Sequence, residues 1–287
     1  MKTLREVVKN SLNNKVAIGH FNTSNLEALR GIFNAAKALN LPVIIAVSEG
    51  ERDFFGIKQF VAVIKSLREE YDYPVFAGAD HTYSFERFKE AVDAGFDSVI
   101  FDGTELSLDE NIKITKKCVD YAKSVNPEII VEGELGFIGT SSKILDEIPK
   151  GVKIGEEYYT KVEDAVRFVK ETGVDMFAPA VGNVHGMLKA GGDPHLDIER
   201  VKAIAEAVKI PLVLHGGSGT PKEDVVLAIK SGVAIVHVNT EIRTAYKKGL
   251  MAGMAEFGEE IAPYKFLKQS ILEVQKVVTE KLKLFNS

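Results

Sequence analysis

The stretch PLVLHGGSGTPKEDVVLAIKSGVAIVHVN, residues 211–239, contains the repeating unit that decides the fold. A short apolar run, Pro211–Gly216, leads into a glycine-rich turn and then into Pro221–Ser231, where the spacing of apolar residues predicts a helix. A second β-branched run, Ile235–Asn239, follows and predicts another strand. Strand, helix and strand in this order are typical of parallel strands joined by a right-handed crossover.

The same alternation runs along the whole chain. The predicted strands are Val16–Asn22, Pro42–Ser48, Pro74–Asp80, Ser98–Gly103, Glu128–Gly136, Met176–Gly182, Pro211–Gly216 and Ile235–Asn239. The predicted helices between them are Asn25–Leu39, Phe54–Tyr71, Ser84–Ala94, Leu108–Ser124, Lys161–Thr172, Asp197–Val208 and Pro221–Ser231. Eight such units predict an α/β fold with one domain over residues 1–287, a closed (β/α)8 TIM barrel. An open doubly wound sheet is the alternative, which the missing GxGxxG turn after the first strand disfavours.

The segment from Lys265 to Phe285 predicts an additional C-terminal helix. Its apolar stripe consists of Leu267, Ile271, Val274, Val278 and Leu282. We expect this stripe to pack across the barrel, and the alternative is a contact with another subunit.

Two local patterns concern helix starts and surface charge. Thr160-Lys-Val-Glu163 and Thr220-Pro-Lys-Glu223 match the capping box, in which Thr and Glu side chains satisfy helical N–H groups. The cluster Glu51-Arg-Asp53 is predicted to be a solvent-exposed face.

The composition is that of a globular protein with a large core, since 45% of residues are hydrophobic and 27% charged. The 36 Lys and Arg against 41 Asp and Glu give a net charge of −5, which argues against broad nucleic-acid binding. No apolar run is long enough to cross a bilayer, and the first residues do not resemble a secretory signal. Because Cys118 is the single cysteine, we expect a reducing compartment, most simply the cytoplasm.

Histidines are concentrated where the predicted strands end. Five of the six lie in or just after a strand, and the chemistry of α/β barrels takes place at the carboxyl ends of the strands. His81, His185 and His215 therefore predict a catalytic Zn²⁺ site with one position left open. Glu134 and Asp102 are candidates for a fourth ligand or for a second cation. The alternative is that all of these are polar residues that cap strand ends.

Asp80 directly precedes His81. A carboxylate beside a bound cation can move a substrate proton while the metal carries the developing charge. The alternative role is a hydrogen bond that supports a ligand imidazole. The residues alone leave both roles open.

The loop Gly216-Gly-Ser-Gly219 is a candidate phosphate cradle. Backbone N–H groups of glycines such as Gly217, the hydroxyl of Ser218 and the following helix N-terminus all favour an anion. Lys189 and Arg243 are available as counter-charges, and the alternative is a plain turn.

Five motifs occur together in the order and spacing of the class II ketose-bisphosphate aldolases, which the chain resembles. They are Asp80-His81, Val131-Glu-Gly-Glu-Leu-Gly136, Gly182-Asn-Val-His-Gly186, Leu214-His-Gly-Gly-Ser-Gly219 and Val238-Asn-Thr-Glu241. The resemblance covers most of the chain, from Gly19-His-Phe-Asn22 through the eighth strand. It implies a metal-dependent (β/α)8 barrel of the type that includes fructose- and tagatose-bisphosphate aldolases.

The resemblance also implies roles for individual residues. Zn²⁺ would be bound by His81, His185 and His215, with Glu134 and Asp102 at positions associated with a second or alternate cation. Asp80 would handle the proton of the substrate's C4 hydroxyl. The positions assigned to substrate, including the glycine-rich cradle, are Asn22, Ser48, Gly186, Lys189, Gly216, Gly217, Ser218, His237, Asn239, Thr240 and Arg243. Arg243 is the candidate for the second phosphate.

Two positions depart from the family pattern. His237 stands where the family usually has Asn, which changes how the eighth strand meets the substrate or metal. The loop after the fifth strand lacks the usual Gly-Gly and acidic pair, so Asp146 or Glu147 would have to supply the acid for C3.

The implied reaction is reversible aldol cleavage of a ketose 1,6-bisphosphate. Fructose 1,6-bisphosphate, giving dihydroxyacetone phosphate and glyceraldehyde 3-phosphate in glycolysis, is the first expectation. The alternatives are an aldolase for tagatose 1,6-bisphosphate or another phosphorylated sugar, and a non-catalytic protein that binds metal and sugar phosphate. We also expect a homo-oligomer, either a dimer or a tetramer. A Schiff-base aldolase is disfavoured because no predicted strand core contains a lysine.

Overall fold

The computed structural model describes residues 2–139, 142–148, 151–189 and 192–287. Eight parallel strands form a closed barrel, in which each strand pairs with the next along the chain and the eighth pairs with the first. The strands are β1 Ile18–Asn22, β2 Val43–Val47, β3 Val75–Ala79, β4 Ser98–Phe101, β5 Ile130–Leu135, β6 Met176–Pro179, β7 Leu212–Leu214 and β8 Val233–Val238. The predicted (β/α)8 TIM barrel is therefore confirmed.

Helices surround the barrel. They are α1 Leu4–Asn14, α2 Leu26–Leu39, α3 Glu49–Phe55, α4 Ile57–Tyr71, α5 Phe85–Ala94, α6 Leu108–Val125, α7 Val162–Thr172, α8 Ile198–Val208, α9 Lys222–Lys230, α10 Thr240–Phe257, α11 Pro263–Phe266 and α12 Lys268–Phe285. Helices α1 and α10 and most of α3 were not predicted from the sequence. The predicted helix over 54–71 is divided at Gly56, whose φ of 90° is outside the helical range. Among the described residues, no helix has the length and apolar character needed to span a membrane.

Helix α1 closes the amino-terminal end of the barrel. Its residues Leu4, Val7 and Val8 are buried against inward-facing strand residues such as Ile18 and Ile235. Burial of this apolar face stabilises the helix and seals that end of the barrel. The carboxyl end of the strands is consequently the end that carries the polar residues.

The C-terminal helix packs across the barrel as predicted. Val274, Val278 and Leu282 of α12 are fully buried, and α12 lies against α2 and α10. The close approach depends on Gly249 of α10, because a Cβ there would lie 2.5 Å from the Cα of Ser270.

Both predicted capping boxes are wrong. Thr160 Oγ1 donates a hydrogen bond of 2.6 Å to the carbonyl of Leu135, and Thr220 Oγ1 donates one of 2.8 Å to the carbonyl of Gly216. Both threonines therefore fasten loops at the rim, where the barrel carbonyls need partners, and do not cap α7 or α9. A Ser-x-x-Glu pattern does operate at α3, where Glu51 Oε2 accepts a bond of 2.8 Å from the backbone N–H of Ser48.

Gly78 of β3 leaves space inside the barrel for a buried imidazole. A Cβ at this position would lie 2.8 Å from Cγ2 of Ile44 and 2.9 Å from Nε2 of His20. We expect Gly78→Ala to lower the free energy of unfolding by about 1–3 kcal/mol, because the barrel interior has no room to relax. Urea denaturation measures this difference. Gly50→Ala is the control, since no heavy atom lies within 4 Å of a Cβ there, and equal losses in both variants would contradict the steric argument.

Candidate active site

Three imidazoles meet at the carboxyl rim of the barrel. His81 follows β3, His185 lies in the loop after β6, and His215 follows β7. Their candidate ligand nitrogens all lie within 4.8 Å of one another. His81 has a φ of 41°, a conformation that few residues other than glycine adopt, so the backbone is bent to bring this ring to the cluster.

One nitrogen of each ring is already held by an acceptor. His81 Nδ1 lies 2.9 Å from Asp102 Oδ2, His215 Nε2 lies 2.7 Å from Glu132 Oε1, and His185 Nδ1 donates to the carbonyl of Gly139. The other nitrogen of each ring has no hydrogen-bond partner among the described residues. Rings anchored at one nitrogen and open at the other are the usual arrangement around a protein-bound metal. The donor set therefore fits a divalent cation that prefers imidazole.

The protonation of the three rings differs. Burial lowers the pKa of His185 to about 3, and burial also lowers the pKa of His215, so both rings are neutral and able to bind a metal. Burial opposes charge on His81 as well, but Glu134, Asp80 and Asp102 outweigh it and raise the pKa of His81 well above its usual range. The cluster thus attracts positive charge at His81, where a cation would replace the proton.

Glu134 and Asp102 lie together beside Nδ1 of His81. Glu134 Oε1 is 3.0 Å from His81 Nδ1, and Glu134 Oε2 is 3.8 Å from His215 Nδ1. His81, Asp102 and Glu134 form a second group whose candidate ligand atoms lie within 4.8 Å of one another. The predicted positions for a fourth ligand or a second cation are therefore next to the three imidazoles.

Asp80 is buried beside this cluster. Asn22 Nδ2 donates a bond of 2.8 Å to Oδ2 of Asp80, and His237 Nδ1 lies 3.3 Å from Oδ1. Burial alone would raise the pKa of Asp80, but His81 and His237 outweigh it and hold the pKa well below its usual range. The carboxylate is thus ionised, fixed in orientation and able to accept a proton.

His20 and His237 form a stack under Asp80 that the sequence analysis did not predict. The strands place the two residues opposite each other in register, with ring centroids 3.5 Å apart and planes inclined by 4°. His237 also stacks on His215 at 4.0 Å. Burial lowers the pKa of His20 to about 4, so the ring is neutral. The sequence signal that could have revealed this stack is the presence of one histidine in each of the neighbouring strands β1 and β8.

Glu132 is another site residue that the sequence analysis missed. It precedes Glu134 by two residues on β5, so both side chains project from the same face of the strand. Both are buried, and Glu132 carries the hydrogen bond that orients His215.

The expectation that Glu51-Arg-Asp53 is solvent-exposed is wrong for its first two residues. Glu51 is 6% exposed and Arg52 is 1% exposed. Arg52 donates to the backbone carbonyls of Asp80 and His81, both at 3.5 Å. Its guanidinium therefore provides hydrogen bonds to the two backbone carbonyls at the bend from which the side chains of Asp80 and His81 project.

Most of the predicted substrate-binding residues line two adjoining cavities of about 20 and 170 Å³. Those that line them are Asn22, Ser48, Gly216, Ser218, His237, Asn239, Thr240 and Arg243. Gly186 and Gly217 are beside them, but the predicted anion-binding role of the Gly217 N–H is wrong, because this group donates to the carbonyl of His237 at 2.9 Å. Lys189 is not brought to the cavities, since its side chain is 74% exposed and lies 3.7 Å from Asp146. Asp146 and Glu147 are exposed.

The fold and the rim define an α/β-barrel enzyme with a three-histidine cluster suited to a metal. A family model described as "Fructose-bisphosphate aldolase class-II" matches residues 2–287. The chain is 36% identical to a fructose-bisphosphate aldolase of Geobacillus stearothermophilus, over 99% of this chain and 96% of the relative. It is 39% identical to a 6-phospho-5-dehydro-2-deoxy-D-gluconate aldolase of Shouchella clausii, over 94% and 89%. The YdjI aldolase from Escherichia coli K12 superposes with a TM-score of 0.83 at 31% identity, covering 99% and 97%.

The chain belongs to the class II fructose-bisphosphate aldolase family. It is accordingly a lyase, and the family to which it belongs depends on a divalent metal, generally zinc. This membership sets aside the non-catalytic alternative and makes the tagatose alternative unnecessary.

Proposed function

We propose that the protein cleaves fructose 1,6-bisphosphate reversibly between C3 and C4 to dihydroxyacetone phosphate and glyceraldehyde 3-phosphate. The observation that carries the proposal is the position of Asp80 against the three-imidazole cluster, with its Oδ1 3.8 Å from His81 Nε2. Cleavage of a ketose requires a base at the C4 hydroxyl beside a group that stabilises negative charge at C2 and C3. Asp80 and a cation bound by the three imidazoles would supply both.

The metal of this proposal is Zn²⁺ held by His81, His185 and His215. Three imidazoles suit Zn²⁺, although Co²⁺ and Mn²⁺ bind the same donors. When bound, the ion supplies Lewis acidity toward the substrate's carbonyl oxygen. Glu134 and Asp102 provide further oxygen donors beside His81 for a second or alternate cation.

Asp80 takes the proton of the C4 hydroxyl as the C3–C4 bond breaks. Its Oδ2 accepts the bond from Asn22, while Oδ1 has no hydrogen-bond partner among the described residues and is open to the hydroxyl. The proton for C3 is assigned to the loop after β5, where Asp146 and Glu147 are the first acids after the strand.

The phosphate next to the ketone is assigned to the rim between β7 and β8. Gly216, Ser218 and Thr240 line the cavity there, and Thr240 begins α10. The helix N-terminus and the hydroxyls of Ser218 and Thr240 favour an anion, whereas the N–H groups of Gly217 and Gly219 already donate to the carbonyl of His237 and to Glu241. The distal phosphate is assigned to Ser48 and Arg243, which line the 170 Å³ cavity and form the distal wall of the site.

A second substrate is favoured by the relative from Shouchella clausii. That protein is named for 6-phospho-5-dehydro-2-deoxy-D-gluconate, which also carries a phosphate next to a ketone. The same metal, base and first phosphate pocket would serve both substrates. The difference between them lies at the distal end, where one has a phosphate and the other a carboxylate.

A coupled aldolase assay tests the proposal. We expect cleavage of fructose 1,6-bisphosphate that is abolished by EDTA and restored by Zn²⁺. The same assay with 6-phospho-5-dehydro-2-deoxy-D-gluconate ranks the two substrates. Absence of turnover of fructose 1,6-bisphosphate with Zn²⁺, Co²⁺ and Mn²⁺ would exclude it as the substrate.

The proposal includes a glycolytic role in the cytoplasm and assembly as a dimer or tetramer. Exposed apolar side chains on and after α10, such as Met251, Met254, Ile261 and Tyr264, support assembly because they resemble subunit contact surfaces.

A further inference from the structure

Glu51 is the most fully hydrogen-bonded carboxylate near the distal wall of the site. Its Oε2 accepts from the N–H of Ser48 at 2.8 Å and from Asn22 Nδ2 at 3.0 Å. Its Oε1 accepts from Ser24 Oγ at 3.3 Å and from Arg243 Nη2 at 2.6 Å. The two oxygens thus have separate tasks, since Oε2 holds the start of α3 and Oε1 holds Arg243.

Arg243 lies between two cavities. On one side it lines the 170 Å³ cavity that contains Ser48, Asp80 and His81. On the other side it lines a cavity of about 300 Å³ beside Asn25 and Tyr246, and Glu51 lines only this second cavity. Glu51 therefore contacts the guanidinium on the side of the second cavity, away from Asp80 and His81.

The partners differ in their freedom to move. The side chain of Glu51 is 7% exposed, whereas that of Arg243 is 44% exposed. The carboxylate is fixed by three donors besides Arg243, and the guanidinium is the partner that can turn toward a ligand. Because the charge of the guanidinium is already paired with Glu51, an anionic group in the 170 Å³ cavity has to compete with that carboxylate for Arg243, whose Nη1 lies 3.5 Å from the carbonyl of Ser142.

We propose that Glu51 determines specificity at the distal end of the substrate by competing with its anionic group for Arg243. The inference rests on the proposed function, because it assumes an aldolase substrate whose distal half enters this cavity. Glu51 weakens the binding of a distal phosphate while leaving an uncharged distal end unaffected. The ion pair thereby lowers the ratio of kcat/KM for a phosphorylated aldehyde to kcat/KM for an unphosphorylated one.

Glu51→Gln separates the two tasks of the carboxylate. The amide oxygen can replace Oε2 and keep the bonds from Ser48 and Asn22. The amide NH2 group then replaces Oε1 and faces the guanidinium, where two donors cannot bond. Arg243 is consequently released without loss of the cap at α3.

The condensation direction gives the sharpest test, because the acceptor aldehyde can be chosen with or without a phosphate. The Zn²⁺-loaded enzyme is assayed with dihydroxyacetone phosphate and either glyceraldehyde 3-phosphate or D-glyceraldehyde. We expect Glu51→Gln to raise the ratio of the two kcat/KM values by about fivefold, through a lower KM for the phosphorylated aldehyde. The double variant Glu51→Gln with Arg243→Gln is expected to lose this gain.

Glu49→Gln is the matched control. Glu49 is on the same helix and lines the 170 Å³ cavity, but it accepts from the N–H of Tyr83 and does not contact Arg243. Removing its charge tests whether loss of any negative charge near the cavity gives the same effect. An equal rise in Glu49→Gln would overturn the competition.

The remaining outcomes are distinct. If the wild-type enzyme condenses neither aldehyde, the proposed function fails. If it condenses them and Glu51→Gln leaves the ratio unchanged, or lowers both rates in parallel, the inference about Glu51 is wrong. If Glu51→Gln does not fold, Glu51→Asp is tested in its place. It shortens the reach to Arg243 by one methylene and must therefore raise the ratio of the two kcat/KM values. An unchanged ratio overturns the inference.

Discussion

Replacing Asp80 by asparagine is expected to lower kcat for fructose 1,6-bisphosphate by about 10²- to 10⁴-fold, the usual contribution of a general acid or base. The side chain keeps its shape and can still accept the bond from Asn22, but it can no longer take the C4 hydroxyl proton. Because the phosphates are assigned in our proposal to other residues of the rim, KM should change much less than kcat. Steady-state kinetics with a coupled assay measure both constants.

Two further measurements distinguish a chemical role of Asp80 from a structural one. Bound Zn²⁺ per subunit and the urea midpoint of Asp80→Asn should match those of the wild-type enzyme. Asp80 is close enough to His81 that a supporting role would appear as a loss of metal. If kcat falls only in proportion to the metal that is lost, Asp80 positions His81 and is not the base.

The strand and helix pattern was predictable because each unit carries its own local signal. All eight predicted strands form, since the buried apolar runs and the glycines between them are local features. The gathering of His81, His185 and His215 followed from one topological rule, which places the carboxyl ends of parallel strands at one rim. Their anchoring partners Gly139 and Glu132 did not follow from that rule.

Helix α10 was missed for a physical reason. Its buried positions include Ala245, Gly249 and Gly253, so its contact face consists of small residues and lacks an apolar stripe. That face is small because backbone of the C-terminal segment lies directly against it. Hydrophobic periodicity does not detect a helix that packs backbone to backbone.

Charged residues near the site show a second limit of sequence reasoning. Glu51 and Arg52 look like surface residues because two acids and an arginine stand together. Both are buried because their partners, Arg243 and the carbonyls of Asp80 and His81, come from distant segments. Only the Ser48-x-x-Glu51 spacing, a capping pattern, was visible locally.

Glu132→Leu is expected to weaken Zn²⁺ binding by about 10- to 100-fold, the usual cost of removing the partner that orients a ligand histidine. Glu132 Oε1 is 2.7 Å from Nε2 of His215, which fixes the ring with Nδ1 open toward the cluster. Burial and the charge of Asp80 raise the pKa of Glu132 well above its usual range, which favours its neutral form, and leucine removes the hydrogen-bond acceptor. Glu132→Gln is the matched control, because its amide oxygen can still accept from Nε2. Competition against a fluorescent chelator measures the affinity, and equal losses in Leu and Gln variants, or none in either, would show that this hydrogen bond does not set the metal-binding tautomer of His215.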